Sequence, residues 1–291
     1  MKNRGLFVGL ITGDLIYLAT RPPLPNEKVE AMDYCFTVGG PAANAAITFS
    51  HHGSQADLAS FLGTEKLSLL LGDELRQHGI NMINMNIEKS LEPPISSVIV
   101  TESTGDRSVI SLNAKSLSGG DHTSVMQNLH TYDVILVDGH LMDTGAVIAR
   151  KSNELSIPVV VDAGSWKPNF HVVLKYTDFA ICSENFLPPN CKHQTDVVVY
   201  LQNLGVSAIA ITQGQRPIRW WQGDRHGEIP VPQVKVVDTL GAGDIFHGAF
   251  CHYILEQDFV AALASAAEVA SYACQFFGTR KWLEGDRFRS Q

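Results

Sequence analysis

Short apolar runs alternate with segments of helix length along most of this chain. Runs of about four to eight apolar residues that end at turn residues are typical of strands buried in a parallel sheet. Such runs occur at 6–11, 56–62, 134–138, 158–162, 179–182 and 208–212. The helical segments between and after them include 66–78, 143–154, 196–204, 244–255 and 259–277. The alternation predicts an α/β fold with a mostly parallel central sheet and helices on both faces.

Two β-like segments interrupt this alternation, at about 14–38 and 95–113. The first consists of short β-like pieces around a proline-rich turn, and the second is a hairpin whose turn lies at 103–106. We expect the two segments to form a small β-sheet that covers the main sheet as a lid. Because no internal repeat or linker is visible, the sequence predicts a single domain, 1–291, that carries this lid.

Composition narrows the class of partner. The 291 residues are 45% hydrophobic and 18% charged, so the chain can bury a large core. A net charge of −8, without a cluster of Lys and Arg, disfavours a nucleic-acid surface. The five scattered cysteines form no Cys-x-x-Cys pair and indicate a reducing compartment. Since no window approaches the ~20 apolar residues of a membrane span, we expect a cytoplasmic protein with a small, soluble ligand.

Segment 238–244, with the sequence DTLGAGD, lies between a predicted strand and a predicted helix. Gly241, Ala242 and Gly243 leave the backbone nearly bare, and their N–H groups lie where a helix begins with unpaired donors and a positive dipole. These features predict an anion site. Asp244, in the same first turn, can cap the helix, but it can also take a proton from a hydroxyl brought to a phosphate on this turn.

A second glycine pair, Gly39 and Gly40, precedes an alanine-rich helix that carries Asn44 in its first turn. The amide of Asn44 can donate and accept hydrogen bonds at once, as a polyol requires. The same residues fit equally well a helix N-terminus that packs on the sheet, with Asn44 as a local cap. Asp14 follows the first predicted strand at its carboxyl end, where parallel sheets bind ligands, although an aspartate that satisfies nearby N–H groups is the commoner explanation.

The remaining candidates lie on the lid and at the end of the last predicted parallel strand. Arg107 and Asn113, on the second lid segment, can reach a bound ligand from above, although a hairpin arginine is more often solvated. Thr212 and Gly214 end the strand at 208–212, and a glycine turn there can admit a nucleotide base or ribose.

Together these motifs resemble those of a known family. Segment 238–244, with Gly248 downstream, resembles the C-terminal signature of the ribokinase / phosphofructokinase-B (PfkB) family of carbohydrate kinases. The paired glycines with Asn44 follow a Gly-x-x-x-x-Asp element at 9–14, and resemble the sugar-binding signature of that family. The similarity is colinear over most of the chain. Two glycine motifs in this order, roughly 200 residues apart, are far more specific than either one alone.

The resemblance implies a ribokinase-like three-layer sandwich and a homodimer formed through the lid. It also implies transfer of the γ-phosphate of ATP, with Mg²⁺, to a hydroxymethyl group, with Asp244 as the base. The implied anion hole consists of the N–H groups of Gly241, Ala242 and Gly243. The candidate sugar ligands are Asp14, Gly39, Gly40, Asn44, Arg107 and Asn113. The candidate nucleotide ligands are Thr212, Gly214, Thr239, Gly241 and Gly243. Backbone near Asp238 and Thr239 is the implied site of a monovalent cation such as K⁺.

The chain departs from the family pattern after the strand at 179–182. Many members carry an Asn-x-x-Glu motif there that faces the waters of magnesium, whereas this chain reads SENF at 183–186. The sequence SENF resembles that of the ketohexokinase and sulfofructose kinase branches. We expect the acceptor to be a ketose or a pentose. Two alternatives stay open, a nucleoside kinase and a non-catalytic sugar- or nucleotide-binding homologue. Retention of Asp244 favours an enzyme, because a binding module needs no base beside an anion hole.

Overall fold

The computed structural model describes residues 2–86, 91–112 and 120–288, and its elements alternate much as the apolar pattern predicts. The strands are β1 (Arg4–Val8), β2 (Thr12–Ala19), β3 (Asp33–Gly39), β4 (Gln55–Ser60), β5 (Ile80–Asn84), β6 (Ile95–Thr101), β7 (Arg107–Ser111), β8 (Val134–Val137), β9 (Val159–Ala163), β10 (Phe179–Ser183), β11 (Ala208–Gln213), β12 (Arg216–Gln222) and β13 (Arg225–Ile229). The helices are α1 (Pro41–His51), α2 (Lys66–Gln77), α3 (Thr123–Asn128), α4 (Met142–Glu154), α5 (Phe170–Leu174), α6 (Gln194–Asn203), α7 (Ala242–Tyr253) and α8 (Phe259–Ala273). Short 3₁₀ turns occupy Leu129–Thr131, Lys281–Glu284 and Asp286–Phe288.

The main sheet has the order β13-β12-β11-β10-β9-β8-β1-β4-β5 over the part of the chain that the structure describes. The strands from β11 to β5 run parallel, and β12 and β13 add an antiparallel edge beyond β11. From β1 the chain builds outward first through β4 and β5, and later through β8 and its neighbours. The strand order therefore reverses beside β1, and open α/β sheets bind ligands at such a reversal, outside the carboxyl ends of the strands.

Two apolar layers cover the two faces of this sheet. On one face α1, α2, α7 and α8 bury residues such as Phe49, Leu71, Phe250 and Leu263. On the other face α3, α4, α5 and α6 bury residues such as Val125, Ile148 and Phe170. The three-layer α/β sandwich with a mostly parallel sheet is thus confirmed. No helix within the described residues is long and apolar enough to cross a membrane.

The segments expected to form the lid pair in a second sheet of order β3-β2-β6-β7. The face of this sheet toward the main body carries Ile16, Val98 and Val100, which pack with Leu240 and Phe277. A small apolar cluster therefore fixes the sheet above the carboxyl ends of the main strands.

One expectation about local structure is wrong. The first strand ends at Val8, and Asp14 lies within β2 rather than at the mouth of a turn after β1. The chain passes from the main sheet into the lid over three residues, so Asp14 already belongs to the lid. Among the described residues the run at 208–212 is the last parallel strand of the main sheet, as predicted, and the antiparallel strands β12 and β13 follow it.

Candidate active site

The turn before α7 is held in place by one buried carboxylate. Asp238 accepts a hydrogen bond from the N–H of Leu240 on Oδ1 and from the N–H of Gly278 on Oδ2, both at 2.8 Å. Gly241 then adopts a φ of 70°, a conformation that favours glycine, and α7 begins at the next residue. The N–H of Ala242 donates to the Thr239 carbonyl at 3.3 Å, so the turn itself uses this member of the expected anion hole.

Gly243 has no structural need to be glycine. Its backbone is helical, and a Cβ built on it would meet no atom within 4 Å. In the interior of a helix alanine is more stable than glycine by about 1 kcal/mol. The missing methyl group therefore leaves free space above the first turn of α7, on the side from which an anion would approach the helix N-terminus.

Asp244, one residue further, is half-buried and receives a hydrogen bond from the side chain of Asn44. The distance from Asn44 Nδ2 to Asp244 Oδ2 is 2.7 Å, although 200 residues separate the two in sequence. Burial, together with the nearby carboxylate of Asp162, raises the pKa of Asp244 to about 7. A carboxylate with a pKa near neutrality is suited to accept a proton at physiological pH.

The orientation of the Asn44 amide is set by Arg280, a residue that the motifs do not include. One Arg280 terminal nitrogen donates to Asn44 Oδ1 at 2.9 Å, and the other donates to the Val38 carbonyl at 2.6 Å. The Nε group donates to Glu74 at 3.2 Å, within an ion pair that is mostly shielded from solvent. Because the amide oxygen of Asn44 is taken by Arg280, its NH₂ group faces Asp244.

Asp14 lies buried on β2, and Gly39 makes room for it. Thr12 donates its hydroxyl to Asp14 at 2.6 Å, and burial raises the pKa of the Asp14 carboxyl. A Cβ on Gly39 would lie 1.9 Å from Asp14 Oδ2. Gly40, with a φ of 97°, lies so close to the segment between β1 and β2 that a Cβ would be 2.2 Å from the Leu10 carbonyl oxygen. Both glycines thus allow close packing of the chain around Asp14 and Leu10.

A row of polar side chains crosses the lid on the face that carries Asp14. Thr37, Asp14, Ser96 and Ser111 are paired across the four strands in register. The hydroxyl groups of Ser96 and Ser111 are hydrogen-bonded to each other at 3.1 Å, and Ser96 also bonds to the Asp14 carboxyl. Since the two serines follow no motif, only the strand register brings them to the site.

The tip of the second lid hairpin closes on the turn before α7. Arg107 donates to the carbonyl and the hydroxyl of Thr239 at 3.1 and 3.2 Å, and Thr239 in turn donates its hydroxyl to the Gly105 carbonyl at 3.0 Å. Arg107 therefore binds the protein at this turn and is not merely solvated. Asn113, the other lid candidate, lies outside the described residues.

The candidate nucleotide residues lie at the carboxyl end of β11. Thr212 donates to the Cys182 carbonyl at 3.3 Å, and Gly214 has a φ of 63° with open space where a Cβ would be. Glu184, the nearest replacement for the absent Asn-x-x-Glu carboxylate, instead forms an exposed ion pair with Arg216. Over the ranges that the structure describes, no group of three or more His, Cys, Asp or Glu residues is arranged to hold a metal ion.

The site therefore lies where the strand order reverses. It combines an open helix N-terminus, a carboxyl group with a pKa near neutrality and a polar lid. The model of the pfkB family carbohydrate kinases matches residues 3–284. The chain belongs to this family. This carbohydrate kinase is 22% identical over 280 residues to the ribokinase of Bacillus subtilis, with 94% of this chain and 93% of the relative covered. It is 25% identical over 252 residues to the fructosamine kinase FrlD of the same organism, with 84% and 86% covered.

Solved structures show the same fold for the kinase. The ribokinase of Giardia lamblia superposes with a TM-score of 0.83 at 17% identity, and covers 97% of this chain and 96% of its own. The Arabidopsis thaliana ribokinase, solved in complex with ribose and ATP, superposes with a TM-score of 0.77 at 19% identity, with 98% and 100% covered. Similarity to solved structures at these identities establishes the fold alone.

Proposed function

We propose that this kinase transfers the γ-phosphate of ATP to a hydroxymethyl group of a small sugar, a ketose or a pentose, with Asp244 as the base. The observation that carries the proposal is the placement of Asp244. Its carboxylate lies in the first turn of α7, beside the open space at Gly243, and bonds to Asn44 on the sugar side. A hydroxyl between the two can lose its proton to Asp244 while it attacks a phosphorus atom held at the helix N-terminus.

The proposed nucleotide site consists mainly of accessible backbone at two glycine turns. Gly243 is exposed and Gly241 is half-buried, so solvent reaches the backbone of this turn, which also contains Thr239. Thr212 and Gly214 lie at the carboxyl end of β11, with open space at Gly214. The solved Arabidopsis relative is a complex with ribose and ATP, and a Cryptococcus neoformans ribokinase is a complex with ADP. Mg²⁺ needs no cage of protein ligands, because it binds phosphate oxygens and keeps several waters. When bound, it neutralises charge on the phosphates.

The sugar side is polar. Asp14, Gly40, Asn44 and the lid serines carry groups that can form hydrogen bonds with sugar hydroxyls. The aromatic residues of the lid segments, Tyr17, Tyr34 and Phe36, lie in register on the opposite, outward face. These rings are therefore turned away from the site and cannot stack a purine over it, which favours a sugar over a nucleoside.

Three further features complete the proposal. We place a monovalent cation such as K⁺ at backbone carbonyls near Asp238 and Thr239, since both Asp238 carboxylate oxygens already bond to N–H groups. We place the enzyme in the cytoplasm, where ATP is abundant and free thiols such as Cys182 and Cys251 stay reduced. A homodimer through the outer lid face would cover Tyr34, which is 67% exposed, and its apolar neighbours.

The acceptor is tested by a coupled ADP-release assay on a panel of pentoses, ketohexoses, their phosphates and nucleosides. Reactions without acceptor give the background ATPase rate for each preparation. We expect saturable, acceptor-dependent ADP release with one or a few free sugars and background rates with nucleosides. Background rates with every compound would support the non-catalytic homologue, and release only with nucleosides would replace the sugar by a nucleoside.

A further inference from the structure

His247 lies one turn after Gly243 on α7 and is almost fully buried, with 5% of its surface exposed. Its Nδ1 atom is 2.7 Å from the carbonyl oxygen of Gly243, and its Nε2 atom is 3.2 Å from the carbonyl oxygen of Ile181 on β10. Each ring nitrogen thus faces a backbone oxygen that can only accept a hydrogen bond.

A neutral imidazole has one N–H group and cannot donate at both positions. In either neutral tautomer one ring lone pair would point at a carbonyl lone pair inside the protein, and an unmet buried contact of this kind is unfavourable. The doubly protonated ring donates at both nitrogens and satisfies both carbonyls. The contacts of His247 therefore select the imidazolium form.

A buried cation needs a counter-charge, and Asp162 provides it. This residue lies on β9, opposite Ile181 in the sheet register, and is 7% exposed. Its Oδ2 atom is 3.5 Å from His247 Nδ1. The imidazolium is thus enclosed between one carboxylate and two carbonyls, behind the turn that bears Asp244.

We propose that His247, as an imidazolium paired with Asp162, is a positioning residue that holds the Gly243–Asp244 peptide and balances the charge on the base. This inference rests on the proposed function, because it assigns a task within the same phosphoryl transfer. The hydrogen bond to the Gly243 carbonyl fixes the peptide plane that leads into Asp244. Such support from behind a reacting group limits its movement during transfer.

The two members of the pair also have opposite effects on the pKa of Asp244. The carboxylate of Asp162 raises the pKa of Asp244, and His247 lowers it. Other ionisable side chains surround the two groups on the adjoining strands, α7, the lid and the C-terminal segment. They are Asp138, His140, Lys167, Cys182, Cys251, Arg107 and Arg280. These side chains are present in every variant below, so a shift between variants originates at Asp162 or His247.

The kinetic test compares the acidic limb of kcat/KM against pH in Asp162→Asn, His247→Asn and the double variant. Asp162→Asn removes the anion, so the limb should move to lower pH by about half a unit or more. His247→Asn removes the cation and leaves Asp162 uncompensated, so the limb should move to higher pH by a similar amount. The double variant should lie between the two. We also expect His247→Asn to lower kcat by about tenfold or more, with the sugar KM within about twofold.

His252→Asn is the matched control. His252 lies on the same helix, is similarly buried, and bonds to Ser54 at the far end of α7. Its replacement should leave the limb in place. Shifts of the two single variants in the same direction, or no shift in either, would overturn the assigned role.

An independent measurement needs neither catalysis nor a folded variant. The ring ¹⁵N resonances of His247 in the wild-type protein, recorded at pH 7, should show both nitrogens protonated. One protonated and one unprotonated ring nitrogen would show a neutral imidazole and contradict the proposal. If the imidazolium is observed but no compound is phosphorylated, the proposed function is wrong. The His247–Asp162 pair would then have a structural role only.

Discussion

In the proposed reaction Asp244 must lose its proton before it can accept one from a sugar hydroxyl. In the free enzyme burial and the charge of Asp162 hold its pKa at about 7, well above the ordinary value of a carboxyl. The hydrogen bond from Asn44 acts in the opposite direction and favours the anion. The balance keeps the base poised near physiological pH, where a small change in pH changes its protonation.

A first prediction concerns this protonation. Because the anion is the active form and the pKa is raised, kcat/KM should fall as pH drops through about 7, by about tenfold for each unit below it. The measurement is kcat/KM for the sugar at saturating ATP from pH 5 to pH 9. Constant kcat/KM between pH 8 and pH 5 would contradict a base with a raised pKa.

A second prediction concerns Arg280. Replacement by Gln leaves Glu74 and the Asn44 amide oxygen without their charged partner, so we expect a loss of about 1–3 kcal/mol in the free energy of unfolding. The sugar KM should rise, because the Asn44 amide is then free to turn. Urea unfolding and steady-state kinetics measure the two effects. Lys281→Gln, at an exposed lysine of the same segment, should change stability by less than about 0.5 kcal/mol.

Motif residues could be predicted from sequence, and their supporting residues could not. Asp14, Asn44 and Asp244 each come directly after a glycine-containing motif, and the backbone conformations that glycine allows indicate what such a motif is for. Arg280 and Asp162 have no such pattern around them. They reach the site through the packing of the C-terminal segment and the register of β9 with β10, which no local spacing reveals. The cationic state of His247 depends on two carbonyls, one of them 66 residues away.

At the scale of elements, Gly241 and Gly243 at the start of α7 are glycine for different reasons. Gly241 is required by the fold, since its φ is 70° and a Cβ would be 2.8 Å from Thr279 Cγ2. Gly243 is not required by the fold, since its Cβ would meet nothing. Sequence alone gives both the same anion-binding role, and only the backbone conformation separates them.

The third prediction uses this difference. Gly241→Ala should destabilise the protein by about 1–3 kcal/mol through backbone strain. Gly243→Ala should keep or slightly raise the melting temperature, yet lower kcat/KM for ATP, because the methyl group fills the space through which a phosphate approaches. Thermal melts and initial rates at varied ATP distinguish the two variants. Wild-type kcat/KM for ATP in Gly243→Ala would mean that phosphate does not approach there.

The parallel strands and the long helices of the main body follow the apolar pattern closely, whereas the antiparallel edge of the main sheet does not. β12 and β13 carry arginines, glutamine and a tryptophan pair, so their sequences lack the continuous apolar run of a buried parallel strand. They pair as an antiparallel edge with one side in solvent, where such mixed sequences are stable. The position of Asp14 was likewise misplaced, because a strand that leaves one sheet for another has no signal in the apolar run itself.

At the scale of the whole molecule, the lid has two unlike faces. Its inner face carries the polar row over the site, and its outer face carries apolar side chains that include Phe36, at 40% exposure, and Ile110, at 80% exposure. Exposed apolar side chains on a sheet that also covers the site are typical of an interface between subunits.

The fourth prediction is that the enzyme is a dimer in solution through this face. Ile110→Glu places a charge at its most exposed apolar position and should convert the dimer to a monomer. Light scattering after size-exclusion chromatography measures the mass. Val199→Glu, at a 54% exposed valine on α6, should leave the dimer intact. A wild-type protein with the mass of one chain would rule out the dimer.

The central claim is that Asp244 is the base of a sugar kinase, and the turnover of Asp244→Asn tests it most directly. The amide keeps the size of the side chain and its place beside Asn44, but it cannot accept the proton of the hydroxyl. With the acceptor identified by the panel, ADP release should fall by at least ~100-fold in kcat, while the dissociation constant of the sugar, measured by calorimetry, changes by less than about threefold. A kcat close to that of the wild type, with the sugar still bound, would contradict the account.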